Sequence, residues 1–266
     1  MLEEIYIRIH ICNKTVIDHR WNYPDMLCTF WRFYINDADG AVIKAGGQTF
    51  SLEKGKMYLV PAWLRVSLAN DRPVQHFYVH FDLLGLTGFL CRNLFPLPME
   101  LGSGDFEKFS DMLRQTESGS LSRFILECRI KSIIYELLSR YLEHTPQNQK
   151  AKLNTLIPAT GRYSKIFEHI DANLGTKISN QLLAEICGKS EGHFIRDFTE
   201  STGITPAKYV TERRISKAIE MLVFTEKSID KIAADTGFTD RFHFSKLFRR
   251  VTGTPPAAYR KHTEQI

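Results

Sequence analysis

The sequence predicts an α+β protein with a β-rich N-terminal part, a helical arm and an all-helical C-terminal part. Three observations predict it. Short runs of strand formers lie between turn residues before about residue 98. Apolar spacing changes to three and four residues after about residue 104. One helical unit occurs twice after residue 158, so we expect a domain boundary near residue 157.

The N-terminal part, residues 1–98, contains predicted short strands. Residues 6–11 alternate in character, and residues 27–35 are rich in strand formers. Asp39-Gly40 and Gly46-Gly47 supply turn residues. Several short strands at close spacing predict a sandwich or a small barrel. Further strands are expected at 49–52, 56–61, 65–68 and 75–81.

Residues 104–144 are predicted to be helical, because their apolar residues recur at steps of three and four. A helix with such a stripe buries it either on its own domain or on a partner, and we favour a helical arm that also serves dimerisation. The polar segment that follows, residues 145–157, is expected to be a linker. The predicted stripe comprises Phe124, Cys128, Ile134, Leu137, Leu138 and Tyr141.

The C-terminal part, residues 158–266, contains the repeat. The pattern of one unit returns after a constant offset of 50 residues, and each copy is typical of a helix-turn-helix, at about 179–203 and 228–253. A long helix from Pro206 to about Leu222 would join the copies. Expected helix caps are Ser179, Ser190, Thr205, Ser228 and Thr239. The repeated residues are His193, Phe194, Phe198, Gly203, Pro206 and Tyr209, matched by His243, Phe244, Phe248, Gly253, Pro256 and Tyr259.

Charge supports a nucleic-acid partner without proving it. The chain of 266 residues has a net charge of +5. Residues 158–266 hold 17 Lys and Arg against 13 Asp and Glu, whereas residues 1–157 hold 18 against 17. The positive excess therefore lies in the repeat, where phosphate contacts would need it. A net charge of +4 is also compatible with an ordinary solvated surface.

If the paired phenylalanines of each second helix point inward, the opposite face is available to the major groove of DNA. Arg196 could make a bidentate contact to guanine, and Lys246 could do the same or hold phosphate. An exposed Arg or Lys is most often only solvated, so this prediction depends on the position of Arg196 on the outer face. The predicted DNA-binding residues are Ser190, Gly192, Ile195, Arg196, Thr199, Thr239, Arg241, Phe242, Ser245, Lys246 and Arg249.

Residues 178–261 resemble the DNA-binding region of the AraC/XylS transcription regulators. The second copy carries the resemblance most strongly, through residues 232–233, 237–250, 253–256 and 259–260. The resemblance implies two helix-turn-helix subdomains that enter successive major-groove segments of double-stranded DNA, with RNA polymerase as a further partner. Gly192 departs from the family pattern, because it has no side chain to reach a base. Specificity of the first unit would therefore depend more heavily on Arg196.

The N-terminal part is similar to the cupin-like barrel that serves as the effector domain of the same family, through residues 47–50, 55–61 and 78–81. The His-x-His pattern of metal-dependent cupins is missing, so no metal, cofactor or catalytic residue is expected. Aromatic and polar side chains suit a small polar effector such as a sugar, although an ordinary core is a nearly equal alternative for each residue. The candidate effector-binding residues are Trp31, Arg32, Tyr34, Trp63, Arg65, His76, Tyr78 and His80.

These observations predict a cytoplasmic, homodimeric transcription regulator, expected to be an activator rather than an enzyme. No apolar run is long enough to span a membrane, and the five scattered cysteines fit free thiols in a reducing compartment. Two alternatives stay open. The barrel could serve dimerisation without an effector, or, less favoured, the chain could be a cupin enzyme with an appended DNA-binding module.

Overall fold

The computed structural model describes residues 6–84, 86–147, 150–151 and 161–263. Its N-terminal part consists of two antiparallel sheets. The first has the strand order β1-β8-β3-β6-β9 and the second has the order β2-β7-β4-β5. The strands are β1 Tyr6–Ile17, β2 Tyr23–Cys28, β3 Trp31–Asn36, β4 Ala41–Ala45, β5 Gln48–Ser51, β6 Lys56–Val60, β7 Leu64–Asn70, β8 Val74–Leu84 and β9 Met99–Ser103.

Strand β3 lies at the centre of the five-stranded sheet, and all six of its residues are buried. Alternate side chains of a strand point to opposite faces, so both faces of this sheet must be covered. One face contributes Tyr34 to a core shared with Ile43 and Leu68 of the other sheet. The opposite face contributes Phe33 to a core that also contains Ile134 of a helix. The central strand therefore separates an interior between the sheets from a helical layer outside.

Three helices form that layer: α1 Gly88–Leu94, α2 Phe106–Glu117 and α3 Arg123–His144. The predicted helical arm is thus two helices. Its predicted stripe is wrong at one end, since Phe124 is 75% exposed and Cys128 is also exposed. Leu126 and Ile130 take the inner positions instead, because they continue the four-residue spacing that leads to Ile134.

Two further differences from the sequence prediction have simple causes. The predicted strand at 27–35 divides into β2 and β3, because the chain bends at Thr29 and Phe30 and the two halves join different sheets. Helix α1 and strand β9 were not predicted, because each is only seven or five residues long and lies in a region that sequence periodicity left unassigned. Most of the predicted linker, 145–157, lies outside the described residues.

The C-terminal part is all-helical in its described residues. Within the described chain, no helix combines the length and the apolar composition needed to cross a membrane. The helices of the C-terminal part are α4 Ser164–Ala172, α5 Asn180–Ile186, α6 Glu191–Thr202, α7 Pro206–Phe224, α8 Ile229–Asp235, α9 Arg241–Thr252 and α10 Pro256–Thr263.

The N-terminal part packs directly on the second half of the repeat. Cys28 and Phe30, at the bend after β2, are buried in the same core as Phe244 and Phe248 of α9. The hydroxyl of Tyr259, in α10, donates a hydrogen bond of 3.1 Å to the backbone oxygen of Leu27. The sheets and the second helical unit therefore share an apolar core.

Candidate nucleic-acid interface and interior cavity

Each repeated unit contains a seven-residue helix, a turn and a twelve-residue helix: α5 and α6 in the first, α8 and α9 in the second. The turn is one residue longer in the second unit, at 236–240 against 187–190. Helices α6 and α9 both end on a glycine with left-handed backbone, Gly203 at φ 76° and Gly253 at φ 84°. Glycine takes this conformation without a Cβ clash, so both units end their second helix in the same way.

The inner faces of the two second helices are also alike. Phe194 and Phe198 are fully buried, with ring centroids 5.5 Å apart. Phe244 and Phe248 repeat this arrangement at the same separation. As predicted, these aromatic pairs are core residues. They anchor α6 and α9 so that the opposite face of each helix points to solvent.

The structure brings the predicted DNA-contacting residues to these outer faces or to the helix starts, and none is buried. Phe242 is 86% exposed, which is unusual for so large an apolar side chain. Partly exposed members of the set are Ile195, Thr199 and Ser245, and exposed members are Ser190, Gly192, Arg196, Thr239, Arg241, Phe242, Lys246 and Arg249.

Several cations on the outer faces have no partner within the described part of the chain. The side chains of Arg196 on α6, and of Lys246 and Arg249 on α9, make neither a hydrogen bond nor an ion pair to described residues. Arg250, which is not among the predicted DNA-binding residues, is also exposed, and its side chain has no partner among the described residues. Exposed cations without internal partners can exchange water for phosphate or guanine oxygens at little cost to the fold.

Other members of the set have internal contacts. The guanidinium of Arg241 lies 3.2 Å from the Asp230 carboxylate. The hydroxyl of Thr199 donates to the backbone oxygen of Ile195 at 2.6 Å, so its proton is already used within α6. Gly192 has no packing role, since a Cβ built there meets no atom within 4 Å.

The two second helices differ at their N-termini. Asp240, not Thr239, caps α9, because its carboxylate accepts the His243 amide at 2.7 Å. That amide bond lowers the pKa of Asp240. Ser190 occupies the N-cap position of α6 without a side-chain cap bond. The amides that start α6 thus remain open to a phosphate oxygen, whereas a carboxylate already occupies the start of α9.

The second helices also differ in charge. Helix α6 contains one cation and three acidic residues, net −2, while α9 contains four cations and no acid, net +4. A polyanion is therefore attracted much more strongly to α9 than to α6. In α6 the charged residues are Glu191, Arg196, Asp197 and Glu200, and in α9 they are Arg241, Lys246, Arg249 and Arg250.

Helix α7 joins the two units. Thr205 caps it and Pro206 opens it, as the sequence predicts, and it runs for 19 residues to Phe224. At about 1.5 Å per residue it is about 28 Å long. This length is close to the spacing of about 34 Å between successive turns of a duplex groove.

The N-terminal part holds both units at matching positions of the repeat. The Phe89 ring of α1 lies against Gly203 so closely that a Cβ there has no room. Arg65 of β7 lies against Gly253 in the same manner and donates to the Thr252 backbone oxygen at 2.8 Å. Gly203 and Gly253 are equivalent in the 50-residue repeat, so the N-terminal part contacts the same turn in each unit.

Two buried charged residues of α7, Glu212 and Arg213, also reach the N-terminal part. Arg213 forms a bidentate pair with Asp171 at 2.8 and 3.1 Å and lies 3.5 Å from Asp82 of β8. Its neighbour Glu212 accepts the backbone amide of Gly88 at 3.0 Å. Burial raises the pKa of the Glu212 carboxyl. The sequence gives no signal for these contacts, because they join elements that lie 40 to 130 residues apart.

A cavity lies between the two sheets, against the C-terminal helices. The space inside it that admits a water molecule is small, about 20 Å³, and the wider gap between its lining atoms, open solvent included, is about 430 Å³. Two cross-strand pairs of β3 and β8 form part of its wall, Arg32 opposite His80 and Tyr34 opposite Tyr78. Five predicted effector-binding residues therefore meet here. The lining residues are Trp21, Met26, Cys28, Phe30, Arg32, Tyr34, Leu68, His76, Tyr78, His80, Val223 and Tyr259.

The other three candidate effector residues lie elsewhere. Trp31 points to the helical side of its sheet and packs edge-on against Phe95, with ring centroids 4.8 Å apart. Trp63 lies under the Arg92 guanidinium, 5.4 Å from the ring centroid. Arg65 reaches the second helical unit. Trp21, by contrast, lines the cavity but was not among the predicted effector-binding residues. It lies before β2, outside any predicted strand, so alternation could not assign it to a face.

Both histidines in the cavity are neutral near pH 7. Burial lowers the pKa of His76 to about 3. Burial, followed by the positive charge of Arg32, lowers the pKa of His80 well below its usual value. The described residues contain no group of three or more His, Cys, Asp or Glu side chains that could hold a metal ion.

Comparisons with known proteins agree with the helical repeat. A family profile described as a helix-turn-helix domain matches residues 183–262. The MmsAB operon regulatory protein of Pseudomonas aeruginosa is 30% identical over 206 residues, which are 76% of this chain and 56% of that protein. The raffinose operon transcriptional regulatory protein RafR of Pediococcus pentosaceus is 22% identical over 244 residues, covering 86% of this chain and 83% of that protein.

Two further proteins are similar over less of the chain or at lower identity. The bifunctional transcriptional activator/DNA repair enzyme AdaA of Bacillus subtilis is 34% identical over 108 residues, 41% of this chain and 51% of that protein. This chain thus spans about half the length of AdaA and of the MmsAB regulator. The crystal structure of ToxT from Vibrio cholerae O395 has the same fold, with a TM-score of 0.57 and 12% identity over 98% of this chain and 99% of that chain.

Proposed function

Because the chain belongs to the AraC/XylS family of transcription regulators, we propose that it acts by reading double-stranded DNA with its two helix-turn-helix units. The observation that carries the proposal is the pair of exposed outer faces on α6 and α9, which have cations without internal partners in the described chain. The relatives that match most of the chain are regulators by name, which supports a regulator over an enzyme.

In this proposal α6 and α9 enter successive major-groove segments on one side of the duplex. Arg196 would contact guanine, and Ile195 and Phe242 would contact thymine methyl groups. Ser190 and the open amides at the start of α6 would hold a phosphate oxygen. The two units would contribute differently to binding. Helix α9 supplies most of the positive charge, whereas α6 supplies one arginine on a surface that attracts DNA only weakly.

We further propose that the chain is a homodimer through α3. Its exposed side includes Phe124, 75% exposed, and Ile125, 44% exposed, on a helix whose other face is buried in the N-terminal core. Adjacent large apolar residues on a surface favour a protein contact. A monomer in sedimentation at micromolar concentration would contradict this proposal.

Activation of transcription, through contact with RNA polymerase, is proposed on the family resemblance. Transcription in vitro from a bound promoter tests it, and a decrease on adding the protein would contradict it.

An effector in the cavity between the sheets is proposed on the meeting of five candidate residues there. A sugar is the ligand that the sequence favoured. The effector-independent alternative predicts that no small molecule stabilises the protein.

The base-reading role of Arg196 is tested with one substitution. Arg196→Ala is expected to weaken binding to a selected site by about 1 to 3 kcal/mol and to relax the preference at one base position. Binding to random DNA should change far less. Fluorescence anisotropy with both duplexes measures this, with Arg20→Ala, an exposed arginine paired with Asp18, as the control. Equal losses on both duplexes would leave Arg196 as a phosphate contact.

A further inference from the structure

Arg32 is a buried cation without a counter-charge. It is the second residue of β3, the central strand of the five-stranded sheet, and is 1% exposed. Its three guanidinium nitrogens, Nε, Nη1 and Nη2, have no hydrogen-bond partner within the described chain. No described Asp or Glu forms an ion pair with it, and the polar groups that interact with its charge are those of Cys28, Tyr34 and Tyr259.

Such an arrangement is costly to the fold. A guanidinium stays charged at all physiological pH values, so it cannot escape burial by losing its proton. Buried charges in proteins are almost always paired, because an unpaired one loses its hydration without compensation. Burial of Arg32 without a counter-charge therefore indicates that a negatively charged partner belongs at this place. The protein's own described residues do not supply one.

The surroundings of Arg32 indicate what kind of anion fits. Rings form the walls of the cavity, with His80 4.7 Å from Phe30 and 4.9 Å from Tyr78 between ring centroids. The buried Nδ1 of His80 also has no hydrogen-bond partner in the described chain. A multiply charged phosphate would need several cationic donors here, whereas one guanidinium matches the two oxygens of one carboxylate. Apolar and aromatic walls suit the remainder of an organic molecule, but the free space of about 20 Å³ is too small for one, so the wall side chains would have to move apart on binding.

We propose that this cavity binds a small organic monocarboxylate, with its carboxylate on the Arg32 guanidinium and an aromatic or aliphatic body among the rings. This inference rests on the proposed function, since it names the chemical class of the effector, and it replaces the sugar that the sequence favoured. A neutral sugar would satisfy hydrogen bonds but would leave the charge of Arg32 unbalanced.

The same ligand would touch both parts of the chain. Val223, near the end of α7, and Tyr259 of α10 complete the cavity wall. Both belong to the helical unit whose core contains Phe30, another wall residue. A carboxylate on Arg32 would therefore lie where the sheets meet the second DNA-reading unit. Its binding would favour one arrangement of the two parts over another.

The test is binding to the full chain without DNA, so that it does not depend on DNA recognition. Three carboxylates, benzoate, 4-hydroxyphenylacetate and hexanoate, are each compared with the amide of the same skeleton. Thermal unfolding and quenching of tryptophan fluorescence measure binding, because Trp21 lines the cavity. At least one carboxylate is expected to bind about tenfold or more tightly than its amide.

Variants at one position separate charge from shape. Arg32→Met should unfold at the same temperature as the wild type or higher when no ligand is present, and it should lose the preference for the carboxylate. Arg32→Lys keeps a cation and should keep part of that preference, which protects the test against a variant that fails to fold. Arg20→Met is the exposed control and should behave as the wild type.

Two results would overturn the proposal. One is that no carboxylate of the three binds more tightly than its amide. The other is that Arg32→Met keeps the carboxylate preference. DNA binding measured on the same samples keeps the two hypotheses apart. Carboxylate binding without DNA binding would refute the proposed function alone, and DNA binding without carboxylate preference would refute this inference alone.

Discussion

The charge difference between α6 and α9 predicts that the second unit provides most of the salt-dependent affinity for DNA. Arg249 and Arg250 of α9 are exposed and have no ion-pair partner in the described chain, while the residues at the same places in α6 are Thr199 and Glu200. Each phosphate contact contributes about 0.9 to the slope of log affinity against log salt concentration. Changing both arginines to glutamine should therefore reduce that slope by about 1.8.

The matched perturbation is the same pair of substitutions in the first unit. Thr199→Gln with Glu200→Gln removes no cation, so the slope should stay the same or become slightly steeper. Between 50 and 200 mM salt, one contact changes affinity by about threefold, and two contacts change it by about twelvefold. Anisotropy titrations at four salt concentrations resolve this difference. Equal slopes for the two double variants would refute the assignment of phosphate binding to α9.

Two further predictions concern the cap of α9 and the cavity. Asp240→Ala should lower the thermal unfolding midpoint by about 3 °C, because the Asp240 carboxylate accepts the cap amide of α9. Thr239→Ala should leave the midpoint nearly unchanged, and equal shifts in the two variants would contradict this prediction. In the folded protein His76 has a pKa of about 3, whereas the unfolded residue gains a proton below about pH 6.5. The free energy of unfolding should therefore decrease as the pH falls, by about 2 kcal/mol at pH 5. Urea unfolding measures it, and an unchanged pH profile in His76→Gln would refute it.

The repeat and its consequences could be predicted from the sequence because they depend on local spacing. Phe194 and Phe198 are four residues apart, so their shared burial follows from helix geometry alone. Gly203 marks the end of its helix for a reason that is equally local. The cap of α9 was predicted one residue early, because Thr239 and Asp240 are both good cap residues and only the observed amide bond decides between them.

The cavity could be predicted only in part, because it depends on strand pairing. Alternation places His76, Tyr78 and His80 on one face of β8, and all three line the cavity. Arg32 and Tyr34 were selected for their residue types. Trp31 was selected in the same way, but alternation along β3 places it on the opposite face of the sheet, away from the cavity. The lack of a partner for Arg32 is a property of the whole fold, so no local pattern could reveal it.

Contacts between the two parts of the chain were beyond sequence reasoning. Phe89 and Arg65 reach Gly203 and Gly253, the same place in each repeat, from two different elements of the N-terminal part. A pattern in one segment carries no information about a contact with a segment more than 100 residues away. The short α1 that supplies Phe89 was itself not predicted.

The most direct test of the central claim is selection of binding sites from random duplex DNA by the full chain, followed by footprinting of the selected site. Two helices joined through α7, which is about 28 Å long, should select two short, different sequences separated by about one helical turn, with protection on one face of the duplex. Arg196→Ala should lose the sequence preference in one of the two segments and keep it in the other. Failure to enrich any sequence, or enrichment of a single segment that Arg196→Ala leaves unchanged, would contradict the account.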